Sequence, residues 1–340
     1  MARVAINGLG RIGRATLKIV MDSPGLDLVA ANDLASPEDV AYLLKYDTVY
    51  GRYARTVEPT PDGRLMVGGH SLALLREPEP ERLPWRSLAI DIVFECTGAF
   101  TKREDLDHHI RAGSRYVILS APSKSEDVET IVHGVNTPEG RTAIISCASC
   151  TTNCITPVME ILGRRLGVKK ATMTTVHAYT ASQAIVDTQH NNLRRGRAGA
   201  ANLVPTSTGA ATATGRALPE YRGRFDGVAI RAPVPVGSLA DIVVLIAKRT
   251  TVEEVNRIFA EEAESQRYRG VVGVTTDPIV SSDIIGDSRA SVIDLAMTQV
   301  VDGDLVKIMS WYDNEWGYSS QIVREAARIA TAIDPPGLKA

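Results

Sequence analysis

Four cysteines stand at positions 96, 147, 150 and 154, and one of them has a neighbourhood suited to a nucleophile. Cys150 lies in Ser149-Cys150-Thr151-Thr152-Asn153, between a β-branched run at 143–146 and a helical pattern at 152–166. At a helix start the unpaired N–H groups and the positive end of the dipole favour thiolate over thiol, so a lowered pKa is expected there. Pro157 deletes one intrahelical bond and is expected to distort the first turns. A nucleophile of this kind needs a base. Of the six histidines, His177 is the one that closes a strand-like run, Thr172 to His177, in the second half of the chain. From residue type alone both keep plainer readings: a small buried cysteine, and a histidine bonded in the core or capping the sheet. Cys147 and Cys150 also have C-x-x-C spacing, as in a redox pair or half of a metal site. No second such pair follows, so no metal is expected.

A second constellation sits at the N-terminus. Gly8, Gly10 and Gly13 form G-x-G-x-x-G between the strand-like run Val4 to Asn7 and a helical stretch, Ile12 to Met21. In that placement the first glycine permits a tight turn and the second lets a pyrophosphate approach the backbone. The third lets helix and strand pack closely, with the helix N-terminus facing phosphate charge. Glycines alone also fit a turn that binds nothing. Asp33 adds the decisive element: it follows a second strand-like run, twenty residues after Gly13, where a carboxylate bonds both ribose hydroxyls and repels a 2′-phosphate. NAD is therefore the expected cofactor.

The elements that must carry these groups follow from periodicity. Strand-like runs at 4–7, 28–32, 90–95, 116–120 and 143–146 alternate with helical patterns at 12–21, 38–46 and 103–112, which implies a parallel, doubly wound sheet. Pro and Gly between 58 and 84 suggest inserted hairpins. After Cys150, strands at 171–175, 228–230 and 242–247 lie apart from helices at 152–166, 210–217 and 252–263. The expectation is an α/β Rossmann-type NAD-binding domain, residues 1–149, completed by a C-terminal helix at 317–333. A catalytic α+β domain with a mostly antiparallel sheet would span 150–316. Residues 189–209 read as a long ordered loop. At 340 residues the chain suits two domains of about 150 residues. With 44% hydrophobic and 23% charged residues and a net charge of −2, it offers no basic field for nucleic acid or an anionic membrane. No apolar run approaches the roughly 18 residues of a membrane span, so a cytoplasmic location is expected.

Six strings, Val4 to Gly13, Ser149 to Cys154, Thr174 to Tyr179, Pro205 to Ala210, Ala229 to Pro233 and Trp311 to Ser319, together make the chain resemble phosphorylating glyceraldehyde-3-phosphate dehydrogenase over nearly its whole length. The resemblance implies Cys150 as nucleophile and His177 as its base. It also implies glyceraldehyde 3-phosphate and inorganic phosphate as substrates, with 1,3-bisphosphoglycerate formed through a thiohemiacetal and a thioester. Arg231 and Thr180 would hold the substrate phosphate. Ser149, Thr151, Thr208 and Gly209 would hold inorganic phosphate, with Arg197 as the arginine of the long loop. Asn314 would hold the nicotinamide carboxamide and Tyr318 would pack beside its ring. Arg11 and Ile12 would follow the pyrophosphate, Thr97 and Phe100 the adenosine half, and Ser120 the nicotinamide ribose. A homotetramer is implied, with 183–201 near a neighbour's cofactor site.

Several positions depart from the family pattern. Cys147 replaces an asparagine, Ser182 an aspartate and Thr188 a proline, and Val236, Gly237 and Ala240 alter a more uniform stretch. A second thiol near the nucleophile implies a specialised isozyme with altered tolerance of thiol-directed inhibitors. Two other readings stay open: an erythrose-4-phosphate dehydrogenase with water as acyl acceptor, and a non-catalytic NAD-binding interaction protein. Thr188 offers a hydroxyl to a 2′-phosphate, whereas Asp33 repels one. NAD is expected to be clearly preferred, and comparable kcat/KM values for NAD and NADP would contradict this.

Overall fold

Ala2–Asn7 is buried along nearly its whole length, and that decides its place. It lies inside a sheet, paired in parallel with Leu26–Asn32 on one side and Ile92–Glu95 on the other. The sheet, in a computed structural model that describes residues 1–138 and 142–333, runs in the order Glu129–Thr130, Ile144–Ser146, Tyr116–Leu119, Ile92–Glu95, Ala2–Asn7, Leu26–Asn32, His70–Leu75, Arg64–Val67, Val57–Pro59. The first seven strands are parallel, and the last two add an antiparallel hairpin edge. Helices Arg11–Val20, Pro37–Lys45 and Arg103–Ala112 intervene in the chain. This is the expected Rossmann-type arrangement, with the expected hairpins at its edge.

The described residues divide into two units. One holds 1–131, 138, 142–148 and 322–333, and the other holds 132–137 and 149–321. The helix Trp316–Ile333 begins in the second and ends in the first.

The second unit is built on a sheet ordered Val204–Ser207, Phe225–Ala232, Val168–Ala178, Ser238–Ile246, Leu305–Tyr312, Ser291–Asp294, Val272–Thr275. Most of its pairings are antiparallel, and Val168–Ala178 with Phe225–Ala232 and Val272–Thr275 with Ser291–Asp294 are the parallel ones. Ser238–Ile246 buries every second residue, so one face of the sheet is apolar. Ala240, Ile242, Val244 and Ile246 from that face share a core with Ile155, Val158, Met159 and Leu162 of the helix Cys150–Leu166. Burial of this face fixes the helix that begins at Cys150, and the helix continues through Pro157 as one element.

The stretch expected as a long loop is more ordered than its composition suggests. It contains a short 3-10 helix, Leu193–Gly196, and the edge strand Val204–Ser207. Val204 and Thr206 point inward while Pro205 and Ser207 are exposed, so the alternation is present but a proline interrupts it. An edge strand tolerates that proline because it pairs on one side only.

The glycine turn shows how tightly helix and strand approach. A Cβ on Gly13 would sit 1.9 Å from the Gly8 carbonyl oxygen, whereas one on Gly10 would meet nothing within 4 Å. Gly13→Ala is expected to cost about 3 kcal/mol by overpacking, and Gly10→Ala less than about 1 kcal/mol. Denaturant unfolding of both variants checks this, and equal losses would contradict it.

Candidate active site

Ser149 caps the helix Cys150–Leu166 by accepting a hydrogen bond from the Thr152 N–H at 3.2 Å. Cys150 therefore occupies the first helical position, half-buried. Ala148, just before the cap, holds the left-handed φ of 54° that a side chain avoids, a strained turn of a kind that concentrates at functional sites. His177, next to last in Val168–Ala178, brings its Nε2 to 3.3 Å from the Cys150 Sγ. The expected nucleophile and base thus meet across 27 residues of sequence. Tyr312 supports both sides: its hydroxyl bonds Thr151 Oγ1 at 2.9 Å and Thr175 Oγ1 at 2.8 Å, and its ring meets the His177 ring edge-on at 5.9 Å.

Arg231 is paired in register with His177 across neighbouring strands. Its Nη1 lies 2.6 Å from His177 Nδ1 and donates to the Ala178 carbonyl at 2.9 Å. Nδ1 is also 2.7 Å from that carbonyl. The imidazole therefore sits between a cation and a thiol. Burial, reinforced by the Arg231 charge, pushes the His177 pKa down to about 3. Burial also pushes the Cys150 thiol up, outweighing Arg231, the Thr151 hydroxyl and the helix-start N–H groups. This corrects the expected lowered pKa: the helix start acts in the predicted direction, and desolvation of the sulfur is larger. Both shifts favour the neutral forms, thiol and imidazole.

The anion-binding residues separate into those the fold gathers and those it does not. Arg195 bonds Thr206 Oγ1 at 3.0 Å, and its charge reaches Arg231. Arg197, the arginine expected here, is instead exposed and pairs with Asp187 at 2.7 Å. The 3-10 helix at 193–196 decides which arginine of Arg194-Arg195-Gly196-Arg197 turns inward. Ser149 Oγ is engaged in its cap, Thr151 with Tyr312, and Thr180 Oγ1 with Ser182 Oγ at 2.9 Å. Thr208 Oγ1 accepts from Ala210 N–H at 3.2 Å, while Gly209 caps Ala210–Ala217 with no side chain and open space around it. The Arg231 Nε is buried without a protein partner. That is a donor a phosphate oxygen can satisfy. Asn314 is 5% exposed, and its Oδ1 accepts from Gly237 N–H and Ser238 Oγ, which orients its amide nitrogen away from them. Tyr318 is buried in the same unit.

In the first unit, Gly10 caps Arg11–Val20 without a side chain, leaving the start of the helix clear. Asp33 receives Leu9 N–H at 2.6 Å and Ala35 N–H at 2.9 Å, two of the roughly four hydrogen bonds a carboxylate accepts. The Arg11 side chain is drawn to Asp47 at 2.5 Å, so what it offers a pyrophosphate is backbone. Ile12 follows in the first turn, half-buried. Thr97 spends its hydroxyl and its N–H on Glu95, Phe100 is half-buried, and Ser120 follows the strand Tyr116–Leu119. The open helix start and spare carboxylate capacity fit a dinucleotide.

Comparison with known proteins identifies the family. Residues 2–103 match the NAD binding domain of glyceraldehyde 3-phosphate dehydrogenase, and residues 149–314 match its C-terminal domain. The chain belongs to the glyceraldehyde-3-phosphate dehydrogenase family. It is 46% identical over 325 residues to glyceraldehyde-3-phosphate dehydrogenase 2 of Streptomyces avermitilis, covering 94% of this chain and 96% of that one. It is 47% identical over 327 residues to the Thermotoga maritima enzyme, covering 95% and 97%. With that of Borreliella burgdorferi it shares 45% over 335 residues, covering 96% and 99%. The Rossmann-type unit is thus the family's NAD-binding domain. Among the departures from the family pattern, Cys147 is 3% exposed, and burial pushes its thiol pKa up. Ser182 and Thr188 are exposed, and Val236, Gly237 and Ala240 lie at or next to the strand Ser238–Ile246. Among the described residues, no disulfide joins any of the four cysteines and no group of ligands could hold a metal.

The like charge of Arg231 is the removable part of the His177 depression. In an NMR titration, the His177 signal, assigned by its loss in His177→Asn, is expected to stay flat between about pH 5 and 8. In Arg231→Leu its midpoint should move upward, and an unmoved midpoint would contradict the assignment.

Proposed function

We propose that the chain oxidises D-glyceraldehyde 3-phosphate with NAD and inorganic phosphate to give 1,3-bisphosphoglycerate, a step of glycolysis. The observation that carries this reading is the 3.3 Å contact between Cys150 Sγ and His177 Nε2 at a helix start, with Arg231 beside the imidazole. In this reading residues 1–149, completed by the helix at 317–333, bind the cofactor, and residues 150–316 carry the chemistry.

Arg231 and Arg195, with Thr180, hold the substrate phosphate. Its negative charge offsets the cation that depresses the His177 pKa, so substrate binding itself prepares the base. His177 Nε2 then takes the Cys150 proton as the sulfur attacks the aldehyde carbon. The resulting oxyanion faces the imidazolium and the backbone N–H groups at the helix start, and collects a proton from His177. Bound NAD would supply the hydride acceptor. His177 removes the hydroxyl proton of the thiohemiacetal, and the product on sulfur is a thioester. Inorganic phosphate, placed by Ser149, Thr151, Thr208 and Gly209, attacks the acyl carbon and the Cys150 thiolate leaves. Asn314 holds the carboxamide of the cofactor, Tyr318 its ring, and Asp33 the adenosine ribose.

Assembly and location follow the same reading. Ile185, Val186, Leu193 and Leu203 are 86%, 70%, 84% and 68% exposed, a cost that a neighbouring copy would remove. This supports a homotetramer in which the loop meets a neighbour. No helix among the described residues is long and apolar enough to cross a membrane, and a cytoplasmic enzyme is proposed.

NADH formation from glyceraldehyde 3-phosphate, followed with and without inorganic phosphate, tests the proposal. Phosphate is expected to be required for turnover. Cys150→Ala should lose at least about 10⁴ in kcat, and His177→Asn about 10²–10⁴. Turnover that ignores phosphate would favour water as acceptor, and an active Cys150→Ala would refute the mechanism.

A further inference from the structure

The first unit contains a buried polar row that the chemistry above does not use. Asn7, Asn32 and Glu95 are the last residues of three adjacent parallel strands, and they lie in register, Asn32 and Glu95 each opposite Asn7. They are 1%, 4% and 0% exposed. Asn32 Nδ2 donates to Asn7 Oδ1 at 2.8 Å, and Asn7 Nδ2 donates to Glu95 Oε2 at 2.6 Å. Behind Glu95 stand His109 and Trp85, both fully buried. An indole N–H only donates, so Trp85 Nε1 at 3.0 Å makes His109 Nδ1 an acceptor. His109 Nε2 then carries the hydrogen that faces Glu95 Oε2 at 3.0 Å.

On its other oxygen Glu95 receives the Thr97 N–H at 2.8 Å and the Thr97 hydroxyl. Two donors on each oxygen fill the roughly four sites of a carboxylate. Among the described residues no lysine or arginine pairs with it, so a buried carboxylate is held by these side-chain and backbone donors. A buried acidic group is costly to keep, and here it sits at the carboxyl ends of the strands, where open α/β sheets bind their ligands.

Each arm of the row ends at a segment expected to touch the cofactor. Asn7 precedes Gly8, whose added Cβ would lie 2.7 Å from the Thr97 nitrogen, so the two loops touch backbone to backbone. Asn32 precedes Asp33 and is clamped to the Glu77 backbone in both directions at 2.9 Å. Asp33 in turn binds the Leu9 N–H inside the glycine turn at 2.6 Å. The distance between the glycine turn, the ribose carboxylate and the Thr97 loop is thereby set by hydrogen bonds that converge on one side chain.

We propose that Glu95 is a positioning residue for NAD: it holds the three cofactor-binding loops at the spacing the dinucleotide requires. This rests on the cofactor assignment made above. Glu95→Gln keeps shape and replaces one acceptor oxygen by a donor. Turned toward Asn7 and His109 the amide nitrogen faces two N–H donors, and turned toward Thr97 it faces the backbone N–H, so at least one bond breaks either way. His109→Gln removes the Trp85 link and perturbs Glu95 from the side away from the loops.

Isothermal calorimetry of NAD binding to the full chain, with melting temperatures of the unliganded proteins and KM values for NAD and for the aldehyde, tests this. Glu95→Gln is expected to raise both Kd and KM for NAD about tenfold, and His109→Gln about threefold, with KM for the aldehyde unmoved. A purely structural role would lower melting temperature and folded fraction while leaving the Kd of the folded fraction unchanged, and that result overturns the proposal. Should Glu95→Gln fail to fold, His109→Gln decides alone by the same criterion. Wild-type protein that bound no NAD would overturn the cofactor assignment instead.

Discussion

The proposed chemistry depends on a sulfur and an imidazole nitrogen held 3.3 Å apart by different elements, one a helix start and the other a strand end. Neither element can be moved alone. The helix is anchored by Ile155, Val158 and Met159 against the alternating apolar face of the sheet, and the strand is that sheet's interior. Tyr312 then ties Thr151 and Thr175, a neighbour of each reactive residue, to one hydroxyl. The reactive pair inherits its precision from a packed core.

Burial that fixes the geometry also disfavours charge on the pair. A desolvated sulfur resists ionisation, and a desolvated imidazole beside a guanidinium resists protonation, so both are pushed toward their neutral forms. In the proposed mechanism the substrate changes this balance, because its phosphate neutralises the cation nearest the imidazole. The reactive state then arises with the substrate in place, where a permanently charged thiolate would stand exposed to other electrophiles.

The first unit solves a parallel problem with different means. In the proposed binding mode three loops face one extended ligand, and loops have little packing of their own to hold them. Here the strands end in polar side chains that bond sideways to one another beneath the loops. A close backbone contact between Gly8 and Thr97 completes the arrangement.

Much of this was legible in the residues. The glycine turn is readable because only glycine fits at Gly13 against the Gly8 carbonyl, and a constraint of that kind leaves its mark on residue type. Cys150 and His177 were readable because each ends or begins a periodic element, and Arg231 because a guanidinium among apolar neighbours needs a reason. Only tertiary structure decided the rest. Arg195 and not Arg197 faces Arg231, since a short 3-10 helix sets which side chain turns inward. The strand at 204–207 was hidden by a proline that only an edge position explains. The upward shift of the Cys150 pKa follows from burial, and the hydrogen bonds of Glu95 come from partners at positions 7, 97 and 109. Sequence carries local constraints such as turns, caps and periodicity. Desolvation and long-range hydrogen bonding depend on which distant residues meet, and folding decides that.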